Sequence, residues 1–575
     1  MPTSLVRETE VDVLVIGAGP AGLMCANALA KAGVNVRIID KRPNKVAAGQ
    51  ADGVQPRTIE VFQSYGLADR LLREGNQMHV AAFYNPGVNG IEVTLHQGAI
   101  EAIFLDSMRE MGVEVSRPMA PTQLDLDTDP AKMADPEAYA IRVVLKHLEP
   151  LEDGPTTEIV RAKFVVGTDG AHSWVRKRFD IPMEGSQTDY VWGVVDMVPQ
   201  TDFPDIRHKT AIHSENGSCM IIPREGDKVR LYIQLEGKDA VDAVSGRIDK
   251  KRLGPYQLLE HASKSLRPFV FKPPKEFDWW TVYIIGQRVA SRFSVDERVF
   301  IAGDGVHTHS PKAGRALLVN NNSWKLVYVL RGWAGLSLLK TYEFERRKYA
   351  QDLINFDVKF SKLFSGKPRT ELYQDGVSHE EFLKAFQTFG GFTSGIGIRY
   401  QESEIVRYPP QQKECAARNV VVGQRMPPQR LVRVADGRVV DLHDLLPSNT
   451  MFKLFVFMGD MVTRPAALEV LAARVGEVVH EVEGKVEVFS VLSAASTPRD
   501  FCFMNMPSVF RPHWSKVLSD EEDVRGIPIG DAYVEYGIDP NAGAVVCVRP
   551  DGYVGMVVPL EGVRSLTGYF ASFLA

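Results

Sequence analysis

Apolar and polar positions alternate in three regimes along the chain. Near the start, Val11–Ile16 is a short, nearly continuous apolar run, the pattern of a strand buried on both faces. Pro20–Ala32 is rich in Ala and Leu and has the length of a helix, Gly33 supplies the stop, and Val34–Ile39 is a second apolar run. This opening predicts a strand–helix–strand unit. Between Asp189 and Gly237, runs of period two are broken by Gly193, Gly217, Gly226 and Gly237, which predicts a sheet of strands and turns. Asp296–Gly303 predicts one more strand, and helical patterns follow it to about Phe364. Gln401–Arg418 is polar and carries Pro409–Pro410, as a linker would. Beyond it, strand-like runs (Phe452–Met458, Ala544–Val548) alternate with helical ones (Pro465–Val475), which predicts an independent α/β unit.

Composition narrows the classes. With 575 residues, 67 Lys plus Arg and 72 Asp plus Glu, the net charge is −5, so nothing favours a nucleic-acid partner or an anionic membrane. Apolar content of 45% and charged content of 24% are ordinary for folded soluble domains and exclude disorder over most of the chain. The five cysteines (Cys25, Cys219, Cys415, Cys502, Cys547) are scattered, with no C-x-x-C pair. This disfavours a disulfide framework, a structural zinc and a dithiol centre, and with the polar N-terminus it points to the cytoplasm.

The chemistry begins at Gly17-Ala18-Gly19-Pro20-Ala21-Gly22, a G-x-G-x-x-G between strand and helix. Gly17 permits the tight turn, Gly19 lets backbone approach a pyrophosphate, and Gly22 lets helix pack on strand; the helix N-terminus then faces the phosphates. Asp40 ends the second strand, where an acid accepts ribose hydroxyls, with Lys41 beside it. This is a Rossmann-type dinucleotide site, and only one such fingerprint is present. Two further strand ends carry acids at the edge where α/β sheets bind ligands: Gly303-Asp304, and Asp169-Gly170 followed by Ser173-Trp174-Val175-Arg176. Taken alone, each is equally an ordinary βα turn. His307 and His309 lack partner ligands at metal spacing, so no metal is expected.

In this order, the motifs resemble the single-component FAD-dependent aromatic hydroxylases, in the phenol 2-monooxygenase and 3-hydroxybenzoate 4-hydroxylase branch. They are VIGAGPAG, GQADGVQPRTIE (Gly49–Glu60), GTDGAHSWVR (Gly167–Arg176), IIPREGDKVRLYIQL (Ile221–Leu235), IGQRV (Ile285–Val289), FIAGDGVHTHSPKAG (Phe300–Gly314), YEFERR (Tyr342–Arg347) and RPDGYVG (Arg549–Gly555). The resemblance implies an α/β fold in which a Rossmann-type FAD-binding domain (1–185 and 285–400) is interleaved with a β-sheet substrate domain (186–284). A linker (401–418) and a thioredoxin-like domain without redox cysteines (419–575) would follow. It also implies non-covalent FAD, NADPH as reductant, O2, a homodimer, and hydroxylation of a phenol through a flavin C4a-hydroperoxide.

By the same resemblance Asp52, Arg230 and Tyr232 polarise the substrate hydroxyl, Gln97 contacts FAD and Tyr283 lines an aromatic pocket. Arg230 and Tyr232 sit at i and i+2 of one strand and so share a face. The plainer readings are a turn aspartate bonded to its own loop, solvated strand residues, a surface helix glutamine and a core-strand tyrosine. Two stretches depart from the family pattern. After Gly314 the chain reads Arg315-Ala316-Leu317 instead of a glycine-bearing helix start that faces the flavin, and a connection near Asn89-Gly90 is short. Either Arg315 supplies the charge that helix start would give, or the protein binds FAD but hydroxylates poorly or not at all, or exon edges are misdrawn.

Overall fold

The structure is a computed structural model. It describes residues 7–575 except 48–50, 80, 83–91, 150–155, 213, 215–216, 236–252, 310–319, 366–393, 411–414, 499, 522–525 and 527–529. The Arg315–Ala316 and Asn89–Gly90 departures and the charged run Arg247–Arg252 lie outside the described residues. Two compact units are formed: residues 1–59, 67–319 and 346–395, and residues 60–66, 320–345 and 396–575.

The first unit begins with the expected strand–helix–strand: β1 (Arg7–Ile16), α1 (Pro20–Lys31) and β2 (Val36–Ile39). Then come α2 (Gln97–Glu110), β3 (Val115–Ser116) and β4 (Thr157–Gly167). The substrate-side sheet is built from β5 (Met183–Met197), β6 (Lys209–Ile212), β7 (Cys219–Pro223), β8 (Val229–Leu235) and β9 (Phe277–Ala290). β10 (Val299–Ile301) returns to the first sheet.

That first sheet runs β10–β4–β1–β2–β3, all parallel. Its central strands are apolar because both faces are covered: Val13, Leu14 and Val15 are fully buried. Antiparallel strands at β4 and at the β10 edge make it a mixed sheet. β10 is shorter than the sequence predicts, because Asp296 and Glu297 both adopt φ of +50° and form a turn before Val299.

The second sheet is antiparallel through β9–β5–β8–β7–β6. Its strands divide their residues cleanly between two faces. Val191, Val195, Ile221, Leu231, Ile233 and Val282 pack into a core with Leu258, Leu259 and Ala262 of the helix Pro255–Ser265. The other face carries polar and aromatic residues, as described below.

The second unit contains α3 (Asn320–Leu330) and the first part of α4 (Ser337–Ser365). It continues with β11 (Phe452–Phe457), α5 (Pro465–Glu481), β12 (Val486–Leu492), β13 (Val517–Ser519), β14 (Ala544–Val548) and β15 (Val554–Val558). The sheet runs β13–β12–β11–β14–β15, parallel on the β12 side of β11 and antiparallel on the β14 side, and Arg430–Arg433 and then Val439–Asp441 extend it antiparallel beyond β13. Where it is described, the stretch read as a linker is packed: Ile405 and Val406 are buried, and the Ile405 carbonyl accepts from Tyr569 Oη at 2.9 Å. Its polar residues hide a few apolar anchors. No helix among the described residues is long and apolar enough to cross a membrane.

Candidate active site

The dinucleotide cradle is formed by the β1–α1 turn. Gly17 has φ of +106°, and a Cβ there would lie 2.5 Å from the Thr168 carbonyl oxygen. A Cβ on Gly22 would lie 1.9 Å from the Gly17 carbonyl oxygen, so helix and turn touch without room for a methyl group. Thr168 closes the arrangement by donating its hydroxyl to the Gly17 carbonyl at 2.7 Å. Gly19 differs: a Cβ there would meet nothing within 4 Å. Its missing side chain serves no protein contact, as a surface for a close-lying ligand requires. Gly19 is the N-cap of α1 and no side chain caps the helix, so its amide end faces outward. These features fit a bound pyrophosphate.

Asp40 lies at the carboxyl end of β2. Its Oδ2 accepts from the Ala18 amide at 2.7 Å and its Oδ1 from the Arg42 amide at 2.7 Å, with the Arg42 side chain also bonded to it. Burial would raise this carboxyl, but the Arg42 and Ala18 hydrogen bonds hold it below the usual range. Lys41 is exposed beside it. Gln97 opens α2 and is buried: its Oε1 accepts from the Ala51 amide at 3.3 Å and its Nε2 donates to Glu101 at 2.9 Å. Glu101, fully buried, also accepts from the Val46 amide at 3.1 Å. Sequence reasoning missed Glu101, although it sits one helical turn after Gln97. Asp169 commits both carboxylate oxygens to its own turn, accepting from Ser173 Oγ and from the Trp174 and Val175 amides. Asp304 follows β10 and is exposed.

The second cluster lies on the polar face of the antiparallel sheet. Residues opposite one another across an antiparallel pair share a face. Asp196 on β5 is opposite both Arg230 on β8 and Trp279 on β9; Val194 is opposite Tyr232; Trp192 is opposite Tyr283. Alternation therefore puts Asp196, Arg230, Tyr232, Trp279 and Tyr283 on one face. Arg224 joins them from the β7–β8 hairpin, whose Arg224 amide bonds to the Lys228 carbonyl. Asp52, just ahead of the short strand Gly53–Val54, meets this face.

The contacts are close and buried. Arg230 is 0% exposed and Asp52 8%. Arg230 grips Asp196 with two parallel bonds, Nε–Oδ1 at 2.6 Å and Nη2–Oδ2 at 2.7 Å, and turns Nη1 to within 3.3 Å of Asp52 Oδ2. Its guanidinium lies 5.0 Å from the Trp279 ring centre. Arg224 Nη1 stands 3.3 Å from Asp196 Oδ2 and 3.7 Å from Asp52 Oδ2, and Arg224 also pairs with Glu225. Tyr232 Oη donates to Asp52 Oδ1 at 3.4 Å. Burial, reinforced by the Asp52 charge, pushes the Tyr232 phenol up to about 12, so it is a proton donor at neutral pH. Asp52 Oδ2, although buried, accepts no hydrogen bond among the described residues.

The structure thus brings Asp52, Arg230 and Tyr232 together, with Tyr283 on the same face. Sequence reasoning missed Arg224 and Asp196, because Asp196 lies on another strand and Arg224 in the hairpin, and only the pairing register brings them to Arg230. Among the described residues no group of three or more His, Cys, Asp or Glu is placed to hold a metal.

Comparison with known proteins identifies the family. Residues 10–357 match the FAD binding domain family, and residues 398–575 match the phenol hydroxylase C-terminal dimerisation domain. A phenol 2-monooxygenase from Aspergillus fumigatus is 34% identical over 97% of this chain and 96% of its own. The 3-hydroxybenzoate 4-monooxygenase of Comamonas testosteroni is 32% identical over 98% of this chain and 95% of its own. Among solved structures, the anhydrotetracycline hydroxylase of Streptomyces rimosus covers 98% of this chain and 99% of its own at a TM-score of 0.69 and 20% identity. Aklavinone-11 hydroxylase with FAD and aklavinone covers 100% of this chain and 99% of its own at 0.66 and 20% identity. These two show a shared α/β fold. The chain belongs to the single-component FAD-dependent aromatic hydroxylases, in the branch of phenol 2-monooxygenase and 3-hydroxybenzoate 4-monooxygenase, and is a flavoprotein monooxygenase.

Proposed function

We propose that this monooxygenase uses NADPH and O2 to hydroxylate a phenolic ring held at Asp52. Bound here, FAD would supply the redox chemistry that passes electrons from NADPH to O2 and yields an electrophilic oxygen. Gly17, Gly19 and Gly22 would cradle its pyrophosphate. Asp40 and Lys41 would attend the adenosine ribose, and Asp304, with Gln97, the remainder; Asp169, whose oxygens are taken by Ser173 and the Trp174 and Val175 amides, holds its own turn instead.

The chain's own residues must hold the ring, draw electron density into it and exclude water. Asp52 Oδ2 accepts the hydrogen bond, and then the proton, of the substrate hydroxyl. Tyr232 stays protonated and donates to an oxygen, either that of Asp52 or that of the substrate. Arg230 and Arg224 offset the negative charge that develops on the ring oxygen. Tyr283 supplies an aromatic wall. One observation carries this reading: a buried carboxylate oxygen with cations at 3.3 and 3.7 Å but an unused acceptor position. A buried acceptor left without a hydrogen bond costs about 1–3 kcal/mol, which a phenol hydroxyl would recover.

The 398–575 match supports a homodimer through the second unit. The parallel β11–α5–β12 crossover followed by the antiparallel β14–β15 pair supports a thioredoxin-like reading of that unit. The test is a screen of simple phenols and larger polyketide-like aromatics for stimulated NADPH oxidation, with product mass measured. Hydroxylation of phenols, with their methyl ethers inert, is expected. Methyl ethers turned over as fast as phenols would refute the role given to Asp52.

A further inference from the structure

We infer that Asp196 is a positioning residue that sets the protonation state of the bound phenol, acting through Arg230. The inference rests on the reading of the Asp52 pocket as a phenol site.

Among the described residues, charged and titratable groups reach Asp196 and its partners from several elements. From β8 come Arg230 and Tyr232, from the β7–β8 hairpin Arg224 and Glu225, and from the loop ahead of Gly53 comes Asp52. The residue opposite on β9, Trp279, carries no charge. Two carboxylates, Asp52 and Asp196, therefore alternate with two guanidiniums, Arg224 and Arg230, and the four charges cancel. Glu225, at the rim, adds a further negative charge on Arg224.

Asp196 has two effects in this square. Its two bonds to Nε and Nη2 fix the plane of the Arg230 guanidinium, so only Nη1 is turned toward Asp52. Its charge also cancels that of Arg230. A phenol entering beside Asp52 thus meets a site without surplus positive charge, and burial disfavours its anion. The phenol arrives protonated and gives up its proton to Asp52 only as the ring is attacked. Without the Asp196 charge, Arg230 would be offset by Asp52 alone and the pocket would be one unit more positive, which favours the phenolate over the phenol.

The experiment is a pH titration of the absorbance of a chromophoric phenol, 4-nitrophenol or 4-nitrocatechol, bound to the FAD-loaded full chain. Wild type is compared with Asp196→Asn and Asp196→Glu. In wild type the bound phenol should titrate at or above its value in water. Asp196→Asn should lower the bound pKa by about one unit, a roughly tenfold gain in the phenolate fraction, as for loss of a unit charge one guanidinium away. Asp196→Glu, which keeps the charge, should restore the wild-type value.

Equal bound pKa values in wild type and Asp196→Asn would overturn the inference while leaving the pocket reading intact. So would a wild-type value a full unit below that in water, a measurement that stands even if Asp196→Asn does not fold. If neither phenol binds wild type, the pocket reading fails and the inference with it.

Discussion

Replacing Gly19 by Ala separates ligand binding from folding. The added Cβ would meet no protein atom within 4 Å, so the chain without cofactor should keep its stability, with a change within about 0.5 kcal/mol. The same methyl group points into the space where the pyrophosphate must approach the α1 N-terminus. Pushing the phosphates back by about an ångström removes one or two charge-assisted hydrogen bonds, each worth about 1.5–3 kcal/mol. FAD affinity should therefore fall by roughly tenfold to several hundredfold, at about 1.4 kcal/mol per tenfold. Gly22→Ala is the contrast. Its Cβ would stand 1.9 Å from the Gly17 carbonyl oxygen, which is backbone and cannot yield cheaply, so the apoprotein itself should lose stability. The assay pairs thermal melting of the apoproteins with FAD titration followed by flavin fluorescence. Gly19→Ala binding FAD as tightly as wild type would refute the placement of the pyrophosphate.

Asp52→Asn keeps the shape of the pocket and leaves the Arg230–Asp196 pair in place. Hydroxylation should slow by about 10²- to 10³-fold, the range for loss of a positioned proton acceptor, while FAD affinity changes little; stopped-flow product formation and flavin titration check this. In the second unit, Glu345 is fully buried between Lys325 at 2.8 Å and Arg549 at 2.5 Å, and Arg549 also grips Asp551 at 2.6 Å. Glu345→Gln would strand buried cations and should cost about 3–5 kcal/mol, read by denaturant unfolding. Burial alone would raise the Glu345 carboxyl, yet Arg549 and Lys325 hold it down to about 2, below its ordinary 4.5. Lys453 does the same for Glu487, also held at about 2 against its burial. Because both folded values are depressed, their stabilisation is complete above about pH 4.5 and is lost as pH falls toward 2. Acid unfolding of wild type should fall in that window, and Glu345→Gln should flatten the dependence.

The parts legible in the sequence were those where local pattern and chemistry coincide. The βαβ opening was readable because β1 is buried on both faces and the glycines at 17, 19 and 22 each have a backbone reason to be there. The β10 boundary was not, because nothing in Asp296-Glu297 announces two consecutive residues at positive φ. The stretch read as a linker is polar in composition, yet Ile405 and Val406 within it are buried, which composition alone does not reveal. At the site, Arg230 and Tyr232 were paired by alternation along one strand. Asp196 and Arg224 needed the register between strands, which one sequence does not carry. Asp169 shows the opposite case: an acid at a strand end whose oxygens serve its own turn.

The central claim is that the crevice at the β1–α1 turn holds FAD, with which the Asp52 face oxygenates a phenol. The most direct measurement is turnover of purified, FAD-loaded protein with NADPH and a phenol accepted in the screen under ¹⁸O2, followed by mass spectrometry of the product. The account predicts one ¹⁸O atom on the ring per NADPH consumed. NADPH oxidation that yields only hydrogen peroxide, or a ring oxygen drawn from water, would contradict it.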